Sequence, residues 1–218
     1  MRRHLLLTVV ALAVALPVGS AAARGRETVR TFTRTLSPGD ADRLRLEFKV
    51  GELRVEGGRG SQVRVTLTLR CDRDERDCRE RAEQVELRDR RRGDLLELEV
   101  KGASVILGGE PAIEALVEVP AGLAVQIDMG VGSVEVTNVG GDLDLELGVG
   151  QVEISAAQSA VRALRLAVGI GEAELSHHGG NTRVSGLIGR RLSWNNDSGG
   201  RARYEVHCGV GQVNVRLR

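Results

Sequence analysis

Apolar and polar residues alternate along most of this chain, in short runs punctuated by glycine. Phe48-Lys49-Val50-Gly51-Glu52-Leu53-Arg54-Val55-Glu56 and the run from Gln62 to Leu69 both alternate, with Gly57-Gly58-Arg59-Gly60 between them. Such alternation marks strands with one dry and one wet face, so the segment reads as strand, turn, strand. The run from Ala115 to Val119 ends a further strand at Pro120-Ala121-Gly122. One stretch departs from the rule. Asp72 to Gln84 is rich in Glu and Arg and lines up Cys71, Cys78, Ala82 and Val85 at helical spacing, which predicts the one helix. Val85–Leu87 and Leu95–Val100 then read as a hairpin around Arg91-Arg92-Gly93-Asp94.

From residue 130 onward one phrase recurs. Gly130-Val131-Gly132-Ser133-Val134-Glu135-Val136 returns from Gly148 to Ile154, from Gly169 to Leu175 and from Gly209 to Val215, with a weak copy at Gly186-Leu187-Ile188-Gly189. The second glycines, at 132, 150, 171, 189 and 211, are spaced about 18, 21, 18 and 22 residues apart. Between them lie further alternating runs, such as Leu143–Leu147, Leu164–Val168 and Ala202–Val206. Each repeat is therefore expected to be two short strands joined by tight turns, with glycine where the chain changes face.

Alternation assigns Val134, Val136, Leu143, Leu145, Leu147, Val152, Ile154, Leu164, Leu166, Val168, Leu175, Tyr204, Val206, Val213 and Val215 to the interior. Glu135, Asp144, Glu146, Glu153, Arg165, Glu174, Arg203, Glu205, Asn214 and Arg216 fall outside. A sheet with one dry face must fold onto another sheet. The expected fold is all-β: a β-solenoid-like or sandwich stack of short Gly-x-Val-x-Val strands, with one short N-terminal helix. Aromatic residues make up only 2% of the chain, in keeping with a narrow interior filled by Val, Leu and Ile. Val213–Leu217 reads as an exposed end strand guarded by Arg216 and Arg218.

The Val117-Glu118-Val119-Pro120-Ala121-Gly122 element followed by serial Gly-x-Val-x-Val strands resembles the bacterial putative-adhesin, or toastrack-like, β-repeat family, a domain of unknown function. The strand at Val50–Val55 and the helix after it are similar to the usual N-terminal portion of that family. The resemblance runs from about Leu46 to the C-terminus. It implies an envelope-associated or secreted protein, and it carries over no catalytic residues.

The N-terminus reads as a secretory leader. Arg2, Arg3 and His4 precede an apolar run from Leu5 to Leu16, and Ala21-Ala22-Ala23 supplies small residues for cleavage. The expected organisation is a signal peptide over 1–23, a lead-in over 24–45 and a single domain over 46–218. Within the domain, 46–110 carries strands, helix and hairpin, and 111–218 carries the repeats. Loss of Arg2 and Arg3 takes the net charge from +1 to about −1, which argues against a nucleic-acid partner. Acids dominate from Glu114 to Leu175, and arginines dominate from Arg183 onward. In an exported chain, Cys71 and Cys78 are the disulfide candidates, provided Cys71 ends a strand and a turn precedes Cys78. Cys208 occupies the apolar phase of its strand and reads as a buried free thiol.

The remaining motifs name no reaction. Gly130-Val131-Gly132 leads into β-branched residues rather than a helix N-terminus, so it lacks the amides that cradle a nucleotide phosphate. Asp142 after Gly140-Gly141 has no counterpart in the other copies, unlike the aspartates of calcium-binding β-rolls. His177-His178 and His207-Cys208 lack zinc-type spacing. No metal and no cofactor are expected. Outward acids such as Asp144, Glu146, Glu153 and Glu174 could serve glycoside cleavage, but alternation alone accounts for them. Ser133 and Ser176 have no evident base partner. Trp194, before the loop Asn195-Asn196-Asp197-Ser198-Gly199-Gly200, is the candidate surface contact. The expected role is a non-catalytic periplasmic or extracellular scaffold binding an envelope protein or polysaccharide; the alternative is a carbohydrate-active envelope enzyme on a β-solenoid.

Overall fold

The computed structural model describes residues 25–102, 110–186, 189–197 and 199–218. Residues 1–23, read as a leader, lie outside the described residues, as do Leu187 and Ile188 of the weak repeat copy and Ser198 of the loop after Trp194. The elements are β1 (Arg26–Leu36), β2 (Arg43–Gly58), β3 (Val63–Asp72), α1 (Arg76–Gln84), β4 (Glu86–Arg92) and β5 (Leu95–Lys101). They continue with β6 (Ala112–Pro120), β7 (Ala124–Thr137), β8 (Leu143–Ala156), β9 (Val161–His177), β10 (Gly180–Gly186), β11 (Arg190–Asn195) and β12 (Ala202–Leu217). Residues 24–45, read as a lead-in, supply β1 on the edge of β3 and the start of β2.

The strands form one continuous sheet in the order β1-β3-β6-β2-β7-β8-β12-β9-β10, with β5 and β4 continuing from β2 and β11 pairing with β9. The expectation of two short strands per repeat is corrected by the structure. β2, β7, β8, β9 and β12 are single strands of 14 to 17 residues, and the glycine phrase sits inside each of the last four. β8 buries Leu143, Leu145 and Leu147 before the glycines and Val152 and Ile154 after them. Alternation would demand an even step between Leu147 and Val152; the odd one is a bulge-like phase change that turns the strand. Because neighbouring strands bend at matched positions, the ladder survives the corner and no loop is needed.

The corner folds the sheet into two layers. The front layer holds β4, β5, the first halves of β2, β7, β8, β12 and β9, and then β11. The back layer holds β1, β3, β6, the second halves of the long strands, and β10. All fifteen residues assigned to the interior by alternation are buried in one core. Lys49-Val50-Gly51 in β2 is a further corner, and β10 and β11 both run antiparallel to β9, β11 along its first half and β10 along its second.

The two layers meet at both ends. On one side, Arg30 of β1 donates from Nη1 to the carbonyls of Ala82 (3.0 Å), Glu83 (3.1 Å) and Val85 (2.9 Å). A guanidinium there satisfies the orphan carbonyls at the end of α1 and opposes the helix dipole, and it lies 4.6 Å over the Phe32 ring. Arg34 donates to the Leu87 carbonyl at 3.0 Å and pairs with Asp89 of β4 at 3.0 Å. On the other side, His177 of the back layer meets Trp194 of the front layer with ring centroids 5.5 Å apart. Trp194, the candidate surface contact, is half-buried and packs against the end of the core.

The helix begins at Arg76 rather than Asp72, because Asp72 still belongs to β3 and a turn closes from Glu75 N–H to the Asp72 carbonyl (3.2 Å). That turn brings the Cys71 and Cys78 α-carbons to 5.9 Å, and the two form a disulfide. Cys208 is free and buried. Closing so short a loop is worth about 2.5 kcal/mol by chain entropy. Reduction, or the Cys71→Ser/Cys78→Ser pair, is therefore expected to lower stability by about 2–3 kcal/mol. Denaturant melts with and without reductant measure this.

The strand expected at an exposed end is internal. β12 runs parallel between β8 and β9 along both layers, so Arg216 and Arg218 guard no open edge. The four full copies of the repeat pair in the same register, and spacing in sequence therefore does not fix the order of strands in space.

Candidate functional site

The front layer presents rows of outward side chains that run across the strands. One row, read in register, is Glu99, Glu47, Asp128, Glu146, His207, Ala167 and Arg191. The row above it has almost no side chains: Gly130, Gly148, Gly209 and Gly169 stack on one another. A Cβ on Gly148 would sit 2.5 Å from the Gly130 carbonyl oxygen, and one on Gly209 would sit 2.5 Å from that of Gly148. A bare row beside a substituted one leaves a trough. It has a volume of about 950 Å³ and is walled by Arg45, Glu47, Lys49 and Glu99 at one end and by Arg190 and Arg191 at the other.

The charge of the trough is graded. Asp128 and Glu146 make its middle acidic, and Arg45 offsets part of this through ion pairs with Asp128 (2.8 Å) and Glu47 (3.0 Å). Asp144 lies one row below. Its carboxyl is held above the usual carboxylate range by burial, then by Glu146 and Glu205, with His207 opposing. Burial also pushes the Cys208 thiol up.

Above the glycines the corner carries a different surface. Val131, Val149, Val210 and Ile170 occupy the middle position of the four full Gly-x-Gly phrases and face one another on successive strands. They are 37%, 47%, 43% and 48% exposed, the large apolar side chains that the described residues leave most open. Val50 continues the line on β2. At strand spacings of just under 5 Å, the ridge is roughly 20 Å long. Aliphatic side chains aligned in the open mark an interaction surface more often than scattered ones do.

The residues weighed from sequence are not brought together. Asp144 and Glu146 lie on the front layer, whereas Glu153 and Glu174 lie on the back, where Glu174 pairs with Arg183 of β10 at 2.5 Å. His207 points into the trough while Cys208 is buried, as their adjacent places on one strand dictate. His177 and His178 sit at the far end of β9, away from His207. Among the described residues no cluster of three His, Cys, Asp or Glu side chains is arranged to hold a metal. The aliphatic ridge escaped the sequence reading. Its signal was an apolar residue between two glycines, outside the alternation on either side.

None of the protein-family models and none of the curated proteins matches the sequence. Solved structures do. A putative cell adhesion protein from Clostridium sporogenes superposes with a TM-score of 0.51 over 87% of this chain and 99% of its own, at 15% identity. The two chains share a fold. A putative adhesin from Parabacteroides merdae (TM-score 0.30, 13% identity, 85% of this chain and 77% of its own) overlaps more loosely. So does a putative lipid binding protein from Parabacteroides distasonis (TM-score 0.26, 13% identity, 85% and 97%). The first fixes the architecture as that of the Clostridium protein and leaves the function to the surface itself. Among the described residues no helix is long and apolar enough to cross a membrane.

Proposed function

We propose that this protein is an exported, non-catalytic β-repeat scaffold that binds a cell-envelope partner, a protein or a polysaccharide, through its glycine corner. The observation that carries the reading is the line Val131, Val149, Val210 and Ile170, exposed beside a charged trough on a sheet whose other large aliphatics, among the described residues, are buried or partly buried. Holding these side chains in the open costs hydration free energy that a partner would recover, on the order of 25 cal/mol per Å² covered. The sheet holds them rigidly, so little ordering entropy opposes binding. The Cys71–Cys78 disulfide and the secretory leader fit an oxidising compartment outside the cytoplasm.

The test is binding of residues 24–218 to isolated envelope vesicles and to purified envelope polysaccharide. The triple variant Val149→Ser, Val210→Ser, Ile170→Ser keeps the corner glycines and is expected to fold normally and lose at least about tenfold in affinity, from roughly 0.5 kcal/mol per truncated side chain. Undiminished binding by that variant, or release of reducing ends from the polysaccharide, would falsify the reading.

A further inference from the structure

β12 fills a gap between two strands that are complementary to each other as well as to it. Tyr204 faces Leu143 on one side and Leu164 on the other; Val206 faces Leu145 and Leu166; Val215 faces Ile154 and Leu175. At the corner, Gly211 lies between Gly150 and Gly171, and Val210 between Val149 and Ile170. With β12 withdrawn, β8 and β9 would meet in register, glycine on glycine and leucine on leucine, much as β7 and β8 already pair glycine on glycine and apolar residue on leucine. The connection permits it. Residues 157–160 join β8 to β9 across the gap, one residue fewer than the 138–142 connection that joins the adjacent strands β7 and β8.

Closure of the gap would restore ladder hydrogen bonds to both walls, so the departure of β12 leaves no open edge behind it. It would also change the charged neighbours, bringing Glu153 opposite Glu174, which Asn214 now separates, but relieving Asp144. Asp144 now lies opposite Glu205, and in the closed arrangement it would lie opposite Arg165, which at present pairs with Glu205 at 2.9 Å. Between β11 and β12, Asn196 and Arg201 both bond to the start of β9. The bonds run from Asn196 N–H to the Arg162 carbonyl (2.8 Å) and from Arg201 and Ala202 N–H to the Ala160 carbonyl (2.9 and 3.0 Å). Gly199 and Gly200, with φ of 124° and 97°, make the reversal there.

We propose that β12 is an exchangeable strand, and that the partner of the β8–β9 slot, besides the chain's own β12, is β12 of a second copy. The inserted strand makes the same ladders and buries the same face in either slot, so exchange differs from self-insertion only in the connection to β12 and in concentration. This inference stands independently of what the corner ridge binds.

Two measurements test it on residues 24–218. Cys208 lies on the buried face of β12, and is free, so a thiol reagent reports each exit of the strand. Labelling under native conditions is expected at least about tenfold faster than global unfolding followed by Trp194 fluorescence. Gln212 and Gln151 are register partners on β12 and β8. A chain carrying Gln212→Cys and Cys208→Ser, mixed at high concentration with one carrying Gln151→Cys and Cys208→Ser, is expected to give a mixed disulfide dimer well above the homodimers. Labelling of Cys208 only at the global unfolding rate, or mixed dimers no more abundant than chance pairing, overturns the proposal.

Discussion

Gly211→Ala is expected to be, with Gly150→Ala, among the most damaging single-methyl changes in the described residues. Gly211 holds φ at +148°, in a region that side chains rarely adopt. The added Cβ would overlap the carbonyl oxygen of Gly150 outright. The two strands cannot separate to make room, because Gly150 is itself packed on Gly132, and β12 is clamped on its other side by Gly171 of β9. Backbone strain of about 1–3 kcal/mol and overpacking of about 1–3 kcal/mol add to roughly 2–6 kcal/mol. That is a large part of the 5–15 kcal/mol that ordinarily separates a domain from its unfolded chain. Gly122→Ala is the matched control: no atom lies within 4 Å of the Cβ position. It is expected to stay within about 0.5 kcal/mol of the parent. Urea melts of both variants, followed by far-ultraviolet dichroism, read the difference directly. Equal midpoints for Gly211→Ala and the parent would mean that the corner relaxes, and that the glycines are not required for close approach.

The same crowding explains what could be read from the sequence. Alternation assigned Val134, Leu145, Tyr204 and their fellows to the interior because a strand offers only two faces, and all of them are buried. Cys71 and Cys78 were legible as a pair because a helix through both would hold them apart, whereas a strand end and a turn would not. The corner was harder. A glycine phrase between alternating runs is compatible with a turn joining two strands and with a bend inside one. Only the neighbouring strands, each bending at its own glycine, decide for the bend. The place of β12 was illegible for a related reason. Val213 and Val215 would pack equally well beside β8, beside β9 or between them, since all three positions offer the same register. The trough combines Glu99, Glu47, Asp128, Glu146, His207 and Arg191 from six strands, whose adjacency follows from strand order rather than from any local motif. Where local pattern fixes the environment, sequence is enough; where equivalent repeats must choose among neighbours, it is not.

Tyr204 gives the second large effect, and it can be followed without a label because it is the sole tyrosine in the chain. Its ring is wholly buried on β12, and its hydroxyl donates to the carbonyl of Val139 in the turn between β7 and β8. Tyr204→Phe removes only the donor and leaves a buried carbonyl unsatisfied, for an expected loss of about 1–3 kcal/mol. Tyr204→Ala also opens a cavity where the two layers meet, for about 3–5 kcal/mol. Burial pushes the phenol from its ordinary 10.0 up to about 12. Folding therefore favours the neutral form. Its contribution, about 3 kcal/mol, is fully present below pH 10, where the unfolded phenol is still protonated, and is lost as the pH rises through about 12. The native protein should show little phenolate absorbance near pH 10 and 11, while the urea-unfolded chain titrates with its midpoint near 10.0. In Tyr204→Phe that part of the alkaline loss should vanish, so the stability gap between variant and parent narrows as the pH climbs from 10 to 12. A native chain whose phenol titrates near its ordinary value would place the Tyr204 hydroxyl in water, and would remove the anchor that ties β12 to the β7–β8 turn.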